Sequence, residues 1–529
     1  MALGRYNCMP WVGRVAFLTI GSMLVTFVFE GGIGLNLSDE GFLWYGAQRV
    51  RLGEVPIRDF MSYDPGRYYL IALLMRLFGD LGLAPLRVAE TLFQGLGIAA
   101  GLWVLCDRNT KPGWGYLTTA TLCLSLWMHP RYKTIDLAIS LLLILTFASW
   151  IRDRSSKKSL FTGIIVGLIF FFGRNHGLYG VIASVLICAW FALNFSRQAS
   201  EVVWYNLLTT SILLPWSAGI LIGLSPFLVL AIRYPGFSSE LFQGVRQVFI
   251  SGSTNLALPV PWPWRISIEH GITAETISEF ALGGLFLMLV LFGIFAPISM
   301  FWLQHRDRKV APSIVSASFL ALPYAHYALS RADALHVSHG VLPGLMVLLV
   351  AVSKLRQIRS WYTWVLVIGV SAIICLPQHP FWMCRHHDEC ERVQVGAGEV
   401  EVPLRTKEHI NLIRSLANRY APNGESFIAA PYWPGAYSLL ERKAPVWEIY
   451  AFAPRTPEFE TNEIERIKQS KPEFAIICDL ALDDKQELRF QSTHPVTFQF
   501  IRDHMTSGQP LDDPSLHLFV RKAKVTWNP

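Results

Sequence analysis

The chain has 529 residues, of which 52% are hydrophobic and only 16% charged, with a net charge of +7. Soluble globular domains carry about a quarter charged residues, so this composition excludes a purely soluble enzyme, and its long apolar runs exclude a fibrous or disordered chain. The basic excess is no nucleic-acid footprint. It is divided into short clusters between apolar runs: Arg152, Arg154, Lys157 and Lys158; Arg306, Arg308 and Lys309; Lys354, Arg356 and Arg359.

A helix crossing about 30 Å of hydrocarbon needs roughly 20 mostly apolar residues. Stretches of this kind lie at 11–29, 85–106, 115–128, 135–151, 160–172, 177–195, 207–232, 277–303, 310–329, 337–352 and 361–376, eleven in all, of which the third and fifth are short. The basic clusters belong on the cytoplasmic side. That places the N-terminus with Arg5 and Arg14, and the loop around Arg108 and Lys111, on the same side. The loops opening at Glu30, His129, Gly173, Arg233 and Ser330 then face outward, with everything beyond Pro377. Glu30-Gly31-Gly32 lacks the small-x-small pattern of a signal-peptidase site, so the first stretch is read as a retained helix. The expected fold class is a polytopic α-helical membrane protein of about eleven transmembrane helices. Residues 1–377 form the membrane domain, with a first external loop at 30–84, and residues 378–529 form an extracytoplasmic mixed α/β domain. A bacterial inner membrane is the expected location, with the N-terminus cytoplasmic.

In the first external loop, Leu43, Ala47 and Val50 recur at helical spacing, which predicts a helix along the membrane surface. Gly53-Glu54-Val55-Pro56-Ile57-Arg58-Asp59-Phe60 turns the chain, and Tyr63-Asp64-Pro65-Gly66-Arg67 opens a short apolar helix from Tyr68 to Phe78. Asp39 and Glu40 fall where the first span meets water. Ionisable groups at that boundary are costly and default to function, and a carboxylate there can take a proton from an incoming hydroxyl as a general base. Helix capping suits the same residues: Ser38 or Asp39 as N-cap, with Glu40 in the first turn, complements the positive end of a helix dipole. Both readings stand.

The outward loops also collect cations: Arg58, Arg67, Arg131, Lys133, Arg174 with His176, Arg233, and the run Arg331-Ala332-Asp333-Ala334-Leu335-His336. The arginine fork suits phosphate oxygens. A single interfacial arginine more often snorkels toward headgroups, so the case for a binding site is collective. Cys8, Cys106, Cys123, Cys188 and Cys375 lie in or beside spans as small apolar fillers. Cys384 and Cys390, with His386 and His387 between them, match no common zinc spacing and suit a disulfide on an oxidising side. No Walker loop, dinucleotide glycine pattern or HExxH is present, so ATP-driven transport and metalloprotease chemistry lack support. Beyond 378, residues 426–430 and 473–478 read as buried strands and 407–419 as an amphipathic helix. Pro431-Tyr432-Trp433-Pro434-Gly435-Ala436-Tyr437 is either an aromatic sugar-contacting loop or a packed surface loop.

Asp39-Glu40, the helix after it, Gly53–Phe60 and Tyr63-Asp64-Pro65-Gly66-Arg67-Tyr68-Tyr69 together resemble the first external loop of membrane-embedded GT-C glycosyltransferases. The likeness is to the protein O-mannosyltransferase and lipid A aminoarabinose transferase group. Gly173-Arg174-Asn175-His176-Gly177-Leu178-Tyr179 and the Arg331–His336 run look like further loop motifs of such proteins. The resemblance implies an inverting transferase that moves a sugar from a polyprenyl-phosphate-linked donor to an acceptor hydroxyl at the outer membrane face. Asp39 would be its base, with Glu40 beside it. Arg58, Asp64, Arg67, Arg174, His176, Arg331, Asp333 and His336 are the candidate substrate-binding residues. The acceptor would be a lipid, a glycan or a protein, with membrane lipids around the donor and no nucleic-acid partner. The resemblance implies no certain cofactor, and a Mg²⁺ or Mn²⁺ near Asp39 and Glu40 stays open. The chain departs from the aminoarabinose transferases after Asp64, where Pro65-Gly66-Arg67 stands in place of Lys-Pro-Pro. A transporter or flippase of a lipid-linked or anionic substrate, and a non-catalytic scaffold of the same fold, are the alternatives. The absence of an internal repeat and the gathering of charge on one face favour the transferase over the transporter.

Overall fold

The structure, a computed structural model, describes residues 10–106, 112–195, 207–251, 255–268, 271–353, 357–386 and 389–522. Arg5, Cys8, Arg108, Lys111, Lys354, Arg356, His387 and Asp388 lie outside the described residues. The contacts divide the chain into two compact units. One comprises residues 1–28, 90–235 and 253–383, and the other residues 29–89, 236–252 and 384–529.

In chain order the helices up to the last apolar stretch are α1 (Pro10–Glu30), α2 (Asp39–Arg51), α3 (Pro65–Phe78), α4 (Leu83–Leu105), α5 (Trp114–Leu126), α6 (Thr134–Arg152), α7 (Ser156–Phe172), α8 (Arg174–Phe195), α9 (Leu214–Gly223), α10 (Ser225–Arg233), α11 (Phe237–Ser251), α12 (Ala274–His305), α13 (Pro312–Leu329), α14 (Ala334–Val352) and α15 (Gln357–Cys375). Every apolar stretch of the sequence is therefore helical. Among the described residues, seven helices are long and apolar enough to cross a membrane: α1, α4, α6, α8, α12, α14 and α15. The α9–α10 pair, bent by 43°, makes up to eight. With 13 residues, α5 falls well short of a crossing length, and α7 with 17 is marginal; α13 also stands outside the seven. This is an integral membrane protein, because helices satisfy their own backbone polar groups where no water can and these helices leave apolar side chains outward. On α1, Phe17, Leu24 and Val28 are all more than half exposed.

Inside the first unit α6 is enclosed almost throughout. Trp150 donates to Ser159 Oγ at 2.9 Å, and Ser316 of α13 donates to the carbonyl of Ile144 at 2.7 Å. The contact between α7 and α9 depends on four glycines. A Cβ on Gly163 or Gly167 would fall 2.1 or 2.4 Å from carbonyl oxygens of α9, and one on Gly219 or Gly223 would fall 2.2 or 2.3 Å from those of α7. Small residues four apart let membrane helices approach closely, where lipid offers no competing hydrophobic drive.

The second unit contains α2, α3, the first turns of α4, α11, and the chain from Cys384 onward. Its hairpin pairs β1 (Cys390–Val395) with β2 (Gly398–Pro403), followed by α16 (Leu404–Tyr420). A four-stranded sheet follows in the order β3-β4-β6-β5, from β3 (Phe427–Ala430), β4 (Phe474–Cys478), β5 (Met505–Ser507) and β6 (Leu516–Arg521). The β3–β4 pairing is parallel and the other two are antiparallel. Both predicted strands and the predicted helix are present. The parallel pair is joined through α17 (Pro434–Leu439) and α18 (Pro457–Ser470), as a parallel connection requires. Ile428, Ile467, Ala475, Ile477, Phe490 and Ile501 fill the core beneath the sheet. Cys384 and Cys390 are joined in a disulfide.

Two features differ from the sequence reading. The first external loop, placed there with the membrane domain, groups with the residues beyond Cys384. And α2, read as a helix with one apolar face, is enclosed by protein, with Glu40 through Gln48 all buried. Protein packs closely against it: a Cβ on Gly41 would fall 2.5 Å from the backbone nitrogen of Gly435, and one on Gly46 would enter the Tyr68 ring. Helical periodicity shows which residues share a face, not what covers the other faces.

Candidate functional site

Polar side chains gather in both units. In the second, the entry to α2 is built by Asn36, whose Oδ1 accepts from the backbone N–H groups of Ser38 and Asp39 at 2.8 and 2.9 Å. Ser38 makes no side-chain cap. Asn36 therefore does the capping, leaving the carboxylates of the first turn to other partners.

Those partners differ. Glu40 is buried and meets the guanidinium of Arg87, with Arg87 Nη2 2.9 Å from Oε1 and 3.0 Å from Oε2. Arg87 also donates to the carbonyls of Ile33 and Gly34. This fork fixes the chain leading into α2 and neutralises the buried charge. Asp39 is half-buried, and its Oδ1 accepts from the Tyr450 hydroxyl at 3.2 Å. Among the described residues its Oδ2 accepts no hydrogen bond. Asp39 and Glu40 thus point to separate partners. Among the described residues, no three or more His, Cys, Asp or Glu side chains group to hold a metal ion.

Around Asp39 the second unit is aromatic. Phe42, one turn along α2, meets the rings of Tyr63 and Tyr450 edge-on at 4.8 and 5.8 Å. Arg67 is buried in the first turn of α3 with its guanidinium 5.0 Å from the Tyr63 ring centroid, a cation–π arrangement. Asp64 is the buried N-cap residue of α3, with Pro65 after it to start the helix. Tyr68 closes the same turn, its hydroxyl accepting from the Tyr63 backbone N–H at 2.9 Å. Arg58 forms two bonds of 2.8 Å with Asp59. Burial raises the Asp59 carboxyl, but the Arg58 fork and the Val55 N–H outweigh it and hold the group below the usual range. Tyr432 and Tyr437 of the aromatic loop are buried, with Tyr437 Oη accepting from Ala429 N at 2.8 Å, whereas Trp433 is half-buried.

In the first unit the polar residues collect at the N-terminal ends of α6, α8 and α14. His176, in the first turn of α8, bonds to Tyr324 Oη of α13 through Nδ1 at 2.8 Å and faces Asp136 Oδ1 of α6 through Nε2 at 3.1 Å. Lys133 lies 3.8 Å from the other Asp136 oxygen. Arg174 opens α8. Asp333 caps α14, accepting from His336 N and bonding His336 Nδ1, both at 2.8 Å, with Arg331 Nε at 3.2 Å. Burial raises its carboxyl, yet His336 and Arg331 hold it below the usual range. Arg331 also donates to the Leu256 carbonyl at 3.1 Å. His339 follows one turn after His336, is buried against Tyr327, and among the described residues has no hydrogen-bond partner at either nitrogen.

The candidates therefore fall into two sets. Asp39, Glu40, Arg58, Asp64 and Arg67 belong to the second unit, and Arg174, His176, Arg331, Asp333 and His336 to the first. The sequence reading missed Tyr450, Arg87, Asp136, Tyr324 and His339. Asp136 carried a usable signal, an acidic residue inside an apolar stretch; Tyr450 carried none, since its contact with Asp39 spans 411 residues.

The overall fold, apolar helices with a terminal α/β region, is similar to that of solved membrane transferases. The structure of ArnT, the lipid A aminoarabinose transferase from Cupriavidus metallidurans, bound to undecaprenyl phosphate superposes with a TM-score of 0.57 at 13% identity, covering 98% of this chain and 99% of that one. The apo state of the same protein gives 0.51 at 13% identity, with 97% and 98% covered. The archaeal oligosaccharyltransferase AglB from Archaeoglobus fulgidus, with an inhibitory peptide and a dolichol-phosphate, gives 0.43 at 9% identity, with 97% and 74% covered. No protein-family model and no curated protein sequence matches the chain.

Proposed function

We propose that the protein is a glycosyltransferase that moves a sugar from a polyprenyl-phosphate-linked donor to an acceptor hydroxyl, with Asp39 as general base. One observation carries the reading: on a GT-C fold, the carboxylate opening α2 has one oxygen held by Tyr450 and the other accepting nothing among the described residues. That is the state a base needs, oriented and with a lone pair available. The solved ArnT complex contains undecaprenyl phosphate, which supports the donor class.

The acceptor oxygen attacks the anomeric carbon as its proton passes to Asp39 Oδ2. The bond from that carbon to the phosphate oxygen breaks, the electron pair leaves with the lipid phosphate, and a single displacement inverts the configuration. Negative charge grows on the leaving phosphate, and fixed cations stabilise it most effectively in a partly dry site. Arg67, in the same unit as Asp39, is the side chain assigned to that charge; Arg174, His176, Arg331 and His336 of the first unit are assigned, within that unit, to binding an anionic group. The positive ends of α6, α8 and α14 favour an anion in the same way. Glu40 and Asp333 are assigned to holding Arg87, His336 and Arg331 in place, and Asp64 to starting α3. The disulfide between Cys384 and Cys390 supports an extracytoplasmic position for the C-terminal region, and a bacterial inner membrane suits the donor.

The test uses a strain lacking the protein. Its lipid extract should accumulate a polyprenyl-phosphate sugar, and membranes from that strain should consume it when the purified full-length protein is added. Asp39→Asn should lower consumption by about 10²-fold or more, the usual range for a lost general base. No accumulating donor in the deletion strain, or full turnover by Asp39→Asn, would overturn the reading at the donor or at the base respectively.

A further inference from the structure

We propose that Tyr450 is a positioning residue for Asp39, so that the C-terminal region supplies part of the catalytic constellation. The inference rests on the reading of Asp39 as base. Tyr450 ends a short irregular segment, Val446-Trp447-Glu448-Ile449-Tyr450, held from several sides within its unit. The backbone N–H groups of Trp447 and Glu448 both donate to Glu463 Oε2, at 2.8 and 3.0 Å. The buried Glu448 carboxylate takes Arg455 Nε at 2.7 Å and His494 Nε2 at 2.8 Å. Trp447 Nε1 donates to the Ile57 carbonyl at 3.0 Å, the Trp447 carbonyl accepts from Met61 N at 2.8 Å, and Ala451 N donates to the Pro431 carbonyl at 2.9 Å. An irregular segment carrying this many bonds has little freedom left.

What the segment delivers is one hydroxyl. The Tyr450 ring is braced by Phe42, Tyr432 and Phe452 at centroid distances of 5.8 to 5.9 Å, and its Oη donates to Asp39 Oδ1. Burial, reinforced by the Asp39 charge, pushes the phenol well above its ordinary range, so it keeps its proton and stays a donor. Asp39 is held at the backbone by Asn36 and at one carboxylate oxygen by Tyr450. The carboxylate plane is then set, and Oδ2 points in one direction. Without the hydroxyl the group is free to rotate, and the near-attack geometry is populated less often.

Four full-length proteins are compared on donor consumption by the deletion-strain membranes: wild type, Asp39→Asn, Tyr450→Phe and Tyr450→Leu. Tyr450→Phe keeps the ring and loses only the hydroxyl. The expected result is a fall in maximal rate of about 10- to 100-fold, the equivalent of one hydrogen bond to a charged group, with half-saturating donor and thermal midpoint unchanged. Tyr450→Leu should lose the same rate and also lower the midpoint, because it removes the ring. Wild-type rate in Tyr450→Phe beside an inactive Asp39→Asn would overturn the positioning role alone. A rate loss in Tyr450→Phe that comes with an equal loss of folding, or with a raised half-saturating concentration and an unchanged maximal rate, would also overturn it. Full activity in Asp39→Asn would instead remove the base, and with it anything for Tyr450 to position.

Discussion

Asp39 and Glu40 are neighbours with the same functional group, and their partners separate their roles. Glu40 meets a guanidinium that is itself almost fully buried, so each charge depends on the other. Removing one partner of such a pair leaves an uncompensated charge, at a cost of about 3–5 kcal/mol. Arg87→Ala should therefore lower the thermal midpoint of the purified protein sharply, whereas Asp39→Asn, at a half-buried site, should leave it nearly unchanged. A thermal shift series on the two variants checks this; similar midpoints would show that Glu40 is not held by Arg87. At this scale the sequence was partly legible. The carboxylate pair at the end of an apolar stretch stood out as chemically costly, but nothing local distinguished base from structural anchor. Arg87 lies inside the second apolar stretch, and the capping residue is Asn36, two positions before the Ser38 that the pattern suggested.

Among elements, the spans were the most legible, because roughly 20 apolar residues in a row have few other uses. The glycine contact of α7 and α9 was written there as well, as Gly163-x-x-x-Gly167 and Gly219-x-x-x-Gly223, but only coordinates pair the two. The surroundings of α2 were not legible, since what buries it comes from residues some 390 positions away, such as the Ser438 carbonyl that Gln48 reaches. The segment holding Tyr450 was equally hidden, and its electrostatics give a testable pH dependence. Burial raises the Glu448 carboxyl, but the bonds and charges of His494 and Arg455 outweigh burial and leave it below its ordinary 4.5. A depressed acid contributes stability above its unfolded value and loses it as pH falls through the folded value. Glu463 beside it is raised, chiefly by burial, and works in the opposite sense, so the comparison must isolate Glu448. The stability gap between wild type and Glu448→Gln should be full above about pH 4.5 and close as the pH falls below it. A denaturant midpoint measured for both proteins across that range checks it; a gap independent of pH would mean that Glu448 is not ionised in the fold.

For the molecule as a whole, the distribution of charge and the Cys384–Cys390 disulfide bear on the same question, which side of the membrane each part occupies. The positive-inside bias would put the clusters at Arg152–Lys158 and Arg306–Lys309 on the cytoplasmic side, and a disulfide persists where thiol reductants are absent. Cys106, Cys123, Cys188, Cys375 and Cys478 are buried thiols, and burial also raises Cys478 to about 11, so under native conditions they should not react. In a Cys8→Ser background, unbroken spheroplasts treated with a membrane-impermeant reductant and then a polyethylene-glycol maleimide should show two added masses, one each on Cys384 and Cys390. Without the reductant they should show none. Labelling that requires opening the membrane would place the C-terminal region on the cytoplasmic side. Because Asp39, Arg67 and Tyr450 share a unit with that disulfide, the same result would move the proposed base to the side where the extracytoplasmic donor is not presented.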